Sequence, residues 1–434
     1  MKNKISLITL GCKMNQAETQ AIADKLSGNF EITFEEKDGE SDIYILNTCA
    51  VTSEAERKSR QIIRRIKRLN KNSKIIAVGC YAVSNPYQLS EAGADLVLGN
   101  HEKKNIHTFL DKIGVFSDYY FWRNDTNYEI LLPKEPYGDR TRVFLPIEEG
   151  CINSCSFCKI RFLRGLKIIS LPKEEILKSI RSFIAKGYKE IVLTGTNLGY
   201  YGFNKEDKLS DLLKDIGETF SGENIRIRLT SLYPEDINIE LSNILNAYPI
   251  FEKHAHISIQ HFSDKVLKLM KRNYSRKMIY KSIENLRKND PKFSITCDLI
   301  IGFPGENEDD LRIMLDSIKN LDILKVHGFR YSVREGTLAA KMDKQIPEKE
   351  KKNRLKKIRE ISEISKFNYL NKMINSITTV LVEQSLNKRF FGYDEYYIPH
   401  NIAYENSEIK KGIFIQTKIS SVSEENKGVV SHVF

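Results

Sequence analysis

Three cysteines that lie close together are the residues of this chain best suited to carry chemistry. Cys151, Cys155 and Cys158 follow one another at the spacing C-x3-C-x2-C. A disulfide joins two sulfurs, whereas three thiolates on one loop can hold three irons of a 4Fe–4S cluster. Complete ligation of such a cluster takes four cysteines, and the nearest others, Cys80 and Cys297, are distant in sequence. The spacing therefore predicts a cluster with one iron open to a further ligand.

A zinc site and buried structural thiols are the alternatives for this loop. Zinc sites usually combine two spaced pairs of cysteines or add a nearby histidine. The segment from Cys151 to Cys158 offers neither arrangement. Spacing therefore favours the open iron–sulfur cluster.

A second group of cysteines shares one position relative to the predicted strands. Cys12, Cys49 and Cys80 each come just after a short apolar run that we interpret as a strand. The carboxyl ends of parallel strands lie along one edge of a sheet, where open α/β folds bind ligands. The alternative is three unrelated core residues, because free cysteine is often buried. Their shared position favours a second metal centre.

Composition indicates a multidomain protein with a polyanionic partner. The chain has 434 residues, 41% apolar and 29% charged, so two or three domains are expected. No apolar run approaches the roughly 18 residues of a membrane helix, and Ile5 to Leu10 fits a first strand better than a secretion signal. Lys and Arg number 68 against 57 Asp and Glu, a net charge of +11, which favours nucleic acid. We expect a cytoplasmic protein whose clustered thiols serve a metal or catalysis.

Residues 4 to about 100 alternate between strand and helix. Short apolar runs separated by helices are typical of a parallel sheet in an α/β domain. The predicted strands are Ile5–Leu10, Ile43–Leu46, Ile75–Val78 and Asp95–Leu98, and the predicted helices are Asn15–Ser27, Ser53–Asn70 and Pro86–Glu91. Residues 101 to 140, which include Trp122, are predicted to form an irregular linker.

A second alternation begins at Arg142. Its predicted strands are Val143–Ile147, Glu190–Leu193, Ile225–Thr230, His254–Ile259, Ser294–Ile301 and Lys325–Tyr331. Its predicted helices include Pro172–Lys186, Asp207–Phe220, Ser263–Lys271 and Glu308–Leu321. Six repeats predict an open, partial (β/α)6 barrel, in which chemistry takes place at the carboxyl ends of the strands. Cys151 follows the first strand and so lies at the expected end.

The composition and the predicted secondary structure change after residue 348. Residues 348 to 373 are strongly basic and are predicted to form a helical connector. The β segments after it are Thr378–Glu383, Arg389–Tyr393, Tyr396–Ile398, Gly412–Ile419 and Val429–Val433. So many short strands in succession predict a small β-barrel, which is a common nucleic-acid-binding module.

The helix after Cys49 is rich in cations. It carries Arg57, Lys58, Arg60, Arg64, Arg65, Lys67, Arg68 and Lys71. Spacings of three and four residues place several of them on one face, which could neutralise phosphates. A solvated helix face is the alternative. Its place beside the second cysteine group, with the net charge of +11, favours RNA.

The motif C-x3-C-x2-C at the end of a strand resembles the radical S-adenosylmethionine (SAM) enzymes. The resemblance implies that the open iron binds SAM and that the cluster's electron cleaves SAM to a 5′-deoxyadenosyl radical. We interpret residues at three strand ends as candidate SAM contacts: Thr194, Gly195, Thr196, Gln260, Ile301, Gly302 and Phe303.

Other residues of these strands have plainer explanations. A turn glycine is the alternative reading at Gly195. His254 and His256 lie two apart on one strand face and would need further ligands to bind a metal, so we interpret them as ordinary strand residues. Cys297 lies in mid-strand and is interpreted as a core thiol.

Motifs along nearly the whole chain resemble the methylthiotransferases. Thr9 to Thr19 (TLGCKMNQAET), Asn47 to Thr52 (NTCAVT) and Gly79 to Tyr81 (GCY) are similar to that family's three cysteine motifs. Leu-Gly-Cys-Lys at Cys12 and the segment from Gly392 to Pro399 resemble its MtaB-type branch. The family order implies an N-terminal domain at 1–115 with an auxiliary cluster, a radical SAM core at 137–367, and a TRAM-like RNA-binding β-barrel at 370–434.

The resemblance also implies a reaction and its partners. One 4Fe–4S cluster would be held by Cys151, Cys155 and Cys158, and an auxiliary one by Cys12, Cys49 and Cys80. One SAM would methylate a sulfur of the auxiliary cluster, and a second would yield the radical that converts C–H to C–S at adenine C2. The substrate would be N6-threonylcarbamoyladenosine next to the anticodon, with the tRNA anticodon stem-loop as partner and a flavodoxin or ferredoxin as reductant.

The sequence departs from the family pattern near the expected substrate position. Arg161 and Arg330 replace prolines, His261 begins a replacement of Ser-Gly, and Leu338 replaces a further proline. No cluster cysteine is lost. Isopentenyladenosine in tRNA and a ribosomal-protein aspartate therefore stay open as substrates. A non-catalytic iron–sulfur protein that binds RNA or senses redox state is the alternative of another class.

Overall fold

The computed structural model of the chain describes residues 3–34, 40–110, 119–121, 129–386, 389–403, 409–423 and 427–433. The expected domain boundary at residue 115 and the linker residue Trp122 lie outside the described residues. By its internal contacts the chain divides into a first unit, residues 1–153, 158–179 and 194–196, and a second unit, residues 154–157, 180–193 and 197–434. The three-domain division stays a prediction.

The N-terminal part of the first unit is a parallel sheet covered by helices. In chain order it contains β1 (Lys4–Thr9), α1 (Lys13–Leu26), β2 (Glu31–Thr33), β3 (Ile43–Thr48), α2 (Ser53–Leu69), β4 (Lys74–Gly79), α3 (Cys80–Ser84), α4 (Pro86–Glu91), β5 (Leu96–Leu98), α5 (Ile106–Leu110) and β6 (Tyr119–Phe121). The strand order is β2-β1-β3-β4-β5-β6. The pairings within this sheet are all parallel, which confirms the α/β prediction.

Apolar residues on both faces hold this sheet between its helices. On one face α2 buries Ile62, Ile63 and Ile66, and burial of each such side chain stabilises the fold by about 1.5–3 kcal/mol. The prediction of an irregular linker from residue 101 was wrong for part of that stretch. Residues 106–110 are helical because Ile106 and Leu110 pack into the core of the sheet, and residues 119–121 pair with β5 as a sixth strand.

The following segments supply the barrel strands. In chain order they are β7 (Arg142–Glu149), α6 (Ile160–Arg164), β8 (Ile169–Ser170), α7 (Lys173–Ala185), β9 (Glu190–Gly195), α8 (Leu209–Phe220), β10 (Arg226–Leu229), α9 (Ile239–Ala247), β11 (His254–Gln260), α10 (Asp264–Leu269), α11 (Arg276–Arg287), β12 (Ser294–Ile301), α12 (Glu308–Asn320), β13 (Lys325–Arg330) and α13 (Glu348–Lys372). All six predicted strands are present, as β7 and β9 to β13. Strand β9 pairs in parallel with β10, and β11, β12 and β13 form a parallel trio.

The end of the chain forms a closed β-barrel, as predicted. Its strands are β14 (Ile377–Leu386), β15 (Arg389–Tyr393), β16 (Pro399–Ala403), β17 (Phe414–Val422) and β18 (Val429–Val433), in the order β14-β15-β16-β18-β17. The predicted strand Tyr396–Ile398 was wrong. The buried carboxylate of Asp394 accepts hydrogen bonds from the backbone N–H groups of Tyr396 at 3.0 Å and Ile398 at 2.8 Å, which folds this segment into a turn.

This turn packs against the amino-terminal ends of barrel strands within the second unit. The guanidinium of Arg228, in β10, lies 4.1 Å from the ring centroid of Tyr397, a cation–π distance. Arg226 donates to the backbone oxygen of Tyr393 at 3.1 Å. The turn therefore has a structural role at the end of the barrel strands opposite to their carboxyl ends. Among the described residues, no helix is long and apolar enough to cross a membrane.

We predict that Gly79→Ala destabilises the protein far more than Gly28→Ala. Gly79 has φ +98°, and a Cβ there would lie 2.5 Å from Asn47 Oδ1 and 2.6 Å from the Thr48 oxygen, whereas a Cβ on Gly28 meets nothing within 4 Å. Strain and clash should cost about 2–4 kcal/mol at Gly79, and the change at Gly28 should stay within about 0.5 kcal/mol. Urea unfolding followed by circular dichroism measures both. Equal midpoints for the two variants would contradict the account.

Candidate active site

Cys12, Cys49 and Cys80 stand at the carboxyl ends of three adjacent parallel strands. They follow β1, β3 and β4, which are neighbours in the sheet. Cys49 and Cys80 are buried, and Cys12 is exposed. The topological position that the sequence predicts for these three residues is thus the one the structure gives them.

Glycine makes the sharp turn from strand to cysteine possible. The Gly11–Cys12, Gly79–Cys80 and Gly150–Cys151 steps all have glycine at positive φ, between +98° and +112°. A Cβ on Gly11 would lie 2.9 Å from Cys49 Cβ and 3.1 Å from Cys49 Sγ. The Cys12 segment therefore passes so close to Cys49 that only glycine fits there.

Burial disfavours the negative forms of the Cys49 and Cys80 thiols and raises the pKa of both. Burial raises the pKa of the Cys49 thiol to about 12, and the nearby Cys80 and Cys12 add to that rise. Burial also raises the pKa of Cys80, against the opposing effect of Arg164 and Lys103. Positively charged iron would supply the charge that stabilises these thiolates.

This donor set fits a 4Fe–4S cluster better than one metal ion. Among the described residues, no three His, Cys, Asp or Glu side chains lie close enough together to hold a single ion. All seven cysteines lie in described parts of the chain and none forms a disulfide. A cluster spaces its thiolates more widely than one ion does, and thiolates are its usual ligands.

The loop with Cys151, Cys155 and Cys158 begins at the carboxyl end of β7. Cys151 and Cys158 belong to the first unit and Cys155 to the second. The N–H of Cys151 donates to the Gly165 oxygen at 3.2 Å. The N–H of Gly150 donates to Thr196 Oγ1 at 3.4 Å, so the structure brings one candidate SAM contact to the base of the cysteine loop.

Arg272 contacts Cys155 within the second unit, and sequence reasoning missed it. Its Nη1 lies 3.1 Å from Cys155 Sγ, and its Nε donates to Tyr274 Oη at 2.8 Å. The guanidinium also stacks 4.1 Å from the ring centroid of Tyr233. Arg272 is one of many scattered cations in the sequence, and no spacing relates it to Cys155. A cation here would stabilise a thiolate or an anionic ligand bound beside it.

The remaining candidate SAM contacts differ in the solvent exposure of their side chains. Thr194 is buried, and Gln260 ends β11 with its backbone at φ +64°. The side chains of Ile301 and Phe303 are fully buried, so only their backbone could face a ligand. Phe303 packs edge to face on Phe157 of the cysteine loop, with ring centroids 6.3 Å apart.

Glu306 organises the turn after β12. Its Oε2 accepts the N–H groups of Gly302 at 2.8 Å and Phe303 at 3.2 Å, and Arg354 donates to its Oε1 at 2.7 Å. Burial opposes the charge of Glu306, but His261 and Arg354 outweigh it and lower its pKa. His261, one of the departures from the family pattern, is thus a buried support for this turn.

A buried group of charges joins both cysteine segments of the first unit. The Nη1 of Arg164 donates to Glu18 Oε1 at 2.8 Å and to Glu149 Oε1 at 2.7 Å, and its Nη2 donates to Asn15 Oδ1 at 2.7 Å. Lys103 Nζ lies 2.5 Å from Glu18 Oε2. Burial opposes the charge of Glu18, yet Arg164 and Lys103 outweigh it and lower its pKa to about 2. We refer to these five residues as the Arg164 network.

Signals for the Arg164 network in the sequence are weak. Glu18 and Asn15 follow Cys12 on α1, and Glu149 precedes the Gly150–Cys151 step. A carboxylate on a helix looks like a surface residue in a sequence. Its burial becomes visible only when Arg164, 146 positions away from Glu18, is placed beside it.

The cationic face of α2 is smaller than predicted. Lys67 turns inward and pairs with Asp95 at 2.7 Å, and Arg60 donates to Gln88 Oε1 at 3.0 Å. These contacts stabilise the first unit and remove both side chains from the predicted face. The exposed cations on one face of α2 and just after it are Arg57, Arg64, Arg68 and Lys71.

Comparison with known families identifies two segments. Residues 4–99 match Uncharacterized protein family UPF0004, and residues 145–318 match the Radical SAM superfamily. The first match spans Cys12, Cys49 and Cys80, and the second spans the C-x3-C-x2-C loop.

Named relatives align along nearly the full length. The chain is 38% identical over 433 residues to the Threonylcarbamoyladenosine tRNA methylthiotransferase MtaB of Thermotoga maritima, covering 98% of this chain and 96% of that protein. It is 33% identical to the Bacillus subtilis protein of the same name, covering 96% and 93%. It is 31% identical to the tRNA-2-methylthio-N(6)-dimethylallyladenosine synthase of Fusobacterium nucleatum, covering 88% of each chain.

Solved structures agree on the fold. The radical SAM methyltransferase TsrM of Kitasatospora setae superposes with a TM-score of 0.55 at 14% identity, covering 76% of this chain and 75% of that one. The cobalamin-dependent radical enzyme OxsB superposes with a TM-score of 0.54 at 14% identity, covering 81% and 56%. At such identity the likeness concerns the fold alone.

Iron content tests whether each cysteine group holds its own cluster. We predict that the chain reconstituted without oxygen binds about eight irons, and that the triple Cys→Ala variant of either group binds about four. Cys297→Ala is the matched control, because Cys297 is fully buried in mid-strand and should leave the iron content unchanged. Colorimetric iron and sulfide assays give the values. If one triple variant retained the full iron content, that group would have no cluster.

Proposed function

The chain belongs to the radical SAM methylthiotransferase family, and on that premise we propose that it converts N6-threonylcarbamoyladenosine in tRNA to its 2-methylthio derivative. The observation that carries this proposal is the presence of two separate cysteine groups, one at the carboxyl ends of three adjacent parallel strands and one on the loop after β7. One radical centre alone would cleave SAM. Insertion of sulfur requires a second centre, which Cys12, Cys49 and Cys80 are arranged to hold.

The chemistry of the two groups is complementary. When bound, the cluster of the C-x3-C-x2-C loop supplies the electron that cleaves SAM, and the auxiliary cluster supplies the sulfur. Two molecules of SAM would be consumed. One would give its methyl group and leave as S-adenosylhomocysteine; the other, reduced by one electron, would release methionine and become 5′-deoxyadenosine by taking the hydrogen of adenine C2. The net change at C2 replaces C–H by C–S–CH3.

This chain's own residues orient the reactants around those centres. In the first unit Thr196 lies at the base of the cysteine loop, and in the second unit Glu306 holds the turn after β12; we assign both to SAM binding. Arg272 places a positive charge beside Cys155, where it suits the carboxylate of SAM or the thiolate itself. Because these groups are fixed by hydrogen bonds before SAM arrives, little reorganisation is needed on binding.

Sequence similarity supports threonylcarbamoyladenosine as the substrate. The relative of Thermotoga maritima that carries that name is 38% identical over 98% of this chain, whereas the dimethylallyl-type relatives are 30–33% identical over 87–88% of it. Isopentenyladenosine is the second candidate, because synthases of that type are also relatives.

A groove on the C-terminal barrel is the proposed tRNA-binding surface. It is a cavity of about 650 Å³ across β15, β16 and β18, lined by Arg389, Phe391, Asn401, Lys427 and other residues. Phe391 and Asn401 are cross-strand partners. An aromatic face and an amide between two cations suit an RNA strand, because bases stack on aromatic rings and phosphates pair with Arg and Lys. The exposed cations of α2 offer a second contact for the backbone.

Several broader expectations complete the proposal. The N-terminal α/β part carries the auxiliary centre, the barrel strands carry the radical centre, and the C-terminal β-barrel carries RNA binding, at the boundaries 1–115, 137–367 and 370–434. The electron donor is a small redox protein of the flavodoxin or ferredoxin class. The reaction takes place in the cytoplasm, where tRNA is modified.

Nucleoside mass spectrometry of bulk tRNA tests the substrate. We predict that cells lacking this chain lose 2-methylthio-N6-threonylcarbamoyladenosine and accumulate the unmodified nucleoside, and that the wild-type gene restores the mark while Cys155→Ala does not. Restoration by Cys155→Ala would refute the enzymatic reading in favour of a binding protein. Loss of the methylthio mark on isopentenyladenosine instead would transfer the assignment to the second candidate.

Salt-dependent tRNA binding tests the groove. The double variant Arg389→Ala/Lys427→Ala should bind tRNA about tenfold more weakly, and the slope of log K against log salt should fall by about 1.4–1.8 for two lost phosphate contacts. Lys281→Ala is the matched control, because Lys281 is exposed on α11 and pairs with Glu284 at 2.9 Å. Unchanged affinity and slope in the double variant, measured by fluorescence anisotropy, would remove the groove from the tRNA interface.

A further inference from the structure

Arg164 is connected to almost every cysteine segment of the first unit. It ends α6, which begins two residues after Cys158, and the next residue, Gly165, accepts the N–H of Cys151 at 3.2 Å. Its partner Glu149 directly precedes the Gly150–Cys151 step. On the radical side, the guanidinium and its neighbour thus hold both ends of the C-x3-C-x2-C loop.

The same guanidinium reaches the auxiliary group through Asn15. The Nδ2 of Asn15 donates to the Leu10 oxygen at 2.9 Å and to the Thr48 oxygen at 3.0 Å, and these carbonyls belong to the segments that lead to Cys12 and Cys49. The Oδ1 of Asn15 accepts from Arg164 at 2.7 Å and lies 3.7 Å from Cys12 Sγ. Asn15 therefore links the two strand ends by hydrogen bonds and connects both of them to Arg164.

Cys80 is reached by a third route. The side-chain N–H of Asn100 donates to the oxygen of Leu163, the residue before Arg164, at 2.8 Å. The same Nδ2 lies 4.0 Å from Cys80 Sγ. Within the first unit, the segments of both cysteine groups thus meet at residues 163–165.

A gain in folding stability does not by itself explain why this charge network is buried. A buried ion pair often stabilises a fold no better than apolar residues of the same size, because desolvation offsets the attraction. What an arginine adds is geometry: its planar fork of donors fixes several acceptors at once, which a lysine cannot do. Glu18, Glu149 and Asn15 are such acceptors, and Lys103 balances the second carboxylate charge.

We propose that Arg164 is a positioning residue that fixes the spacing of the two cysteine centres and thereby couples SAM cleavage to sulfur transfer. The inference rests on the proposed function in that both centres must be loaded. The C–S bond forms only where adenine C2 can meet both the radical and the sulfur. Misplacement by about 1 Å can cost on the order of 100-fold in rate. SAM cleavage involves one centre only, and its loop keeps the backbone hydrogen bond from Cys151 to Gly165 when the Arg164 side chain is changed.

Arg164→Lys and Arg164→Gln test this role in the reconstituted full chain. Lysine keeps the positive charge beside Glu18 and Glu149, so that variant should fold even if the glutamine variant does not. In both we expect wild-type iron content and a rise of roughly tenfold or more in the ratio of 5′-deoxyadenosine to methylthiolated tRNA. Electron paramagnetic resonance of the reduced protein gives a readout independent of turnover. The magnetic coupling between the two centres should become weaker, or its values should spread over a wider range.

Arg228→Gln is the matched control. Arg228 is also buried and lies between two glutamates, with Glu190 at 3.0 Å and Glu252 at 2.9 Å. Its guanidinium packs on Tyr397 at the amino-terminal end of β10 and contacts no cysteine segment that the structure describes. It should lower stability without changing the product ratio or the magnetic coupling.

The outcomes separate this inference from the proposed function. If the wild-type chain binds only about four irons or makes no methylthiolated tRNA, the proposed function fails and the inference fails with it. If the wild type behaves as proposed and both Arg164 variants keep its product ratio and magnetic coupling, the inference alone is overturned. A change of the ratio in Arg228→Gln as large as in Arg164→Lys would also overturn it, because the effect would then follow from general destabilisation.

Discussion

Backbone space at the end of a strand decides where the thiols of this protein can lie. At the Gly11–Cys12, Gly79–Cys80 and Gly150–Cys151 steps the chain turns at positive φ, a conformation that other residues rarely adopt. A Cβ on Gly79 or Gly150 would lie 2.5 Å or less from a neighbouring oxygen. The turns direct cysteines to the edges where parallel strands end. Every later feature of the site, from thiol electrostatics to the Arg164 network, depends on that placement.

Charge at these edges is arranged around buried groups. The thiols of Cys49 and Cys80 have raised pKa values chiefly because they are buried, and the nearby Cys12 raises both pKa values further. Arg164 and Lys103 bring positive charge toward them, and Glu18 and Glu149 neutralise that charge. Iron bound by the thiolates would add the positive charge that the bare thiols lack. The exposed cations of α2 and of the C-terminal groove lie outside this core, where they suit the phosphates of RNA.

The periodicity of the sequence predicted the main strands, because a strand buried on both faces must be apolar and a helix between such strands must be amphipathic. It also predicted that Cys12, Cys49 and Cys80 share one sheet edge, since that follows from parallel topology alone. The errors came from tertiary contacts. Tyr396–Ile398 has strand-like residues, but the carboxylate of Asp394 captures its backbone N–H groups. Lys67 looked like part of a cationic face until Asp95 was placed beside it.

Contacts between residues that are distant in sequence could not be predicted, for the same reason. Nothing in the order of residues connects Arg272 with Cys155, or Arg164 with Glu18, because burial of a charge is a property of the folded neighbourhood. Cysteine spacing indicates which metal chemistry is possible. The contacts between the buried cations and the cysteine segments become visible only in the folded structure.

We propose that the two cysteine groups have different catalytic roles: one cleaves SAM and the other delivers sulfur. Product analysis of Cys80→Ala tests it most directly, with the purified chain reconstituted, reduced and given SAM and tRNA that carries N6-threonylcarbamoyladenosine. The account predicts that this variant still forms 5′-deoxyadenosine and yields no methylthiolated nucleoside, while the wild type forms both. Methylthiolated nucleoside from Cys80→Ala at the wild-type level, measured by liquid chromatography and mass spectrometry, would contradict it.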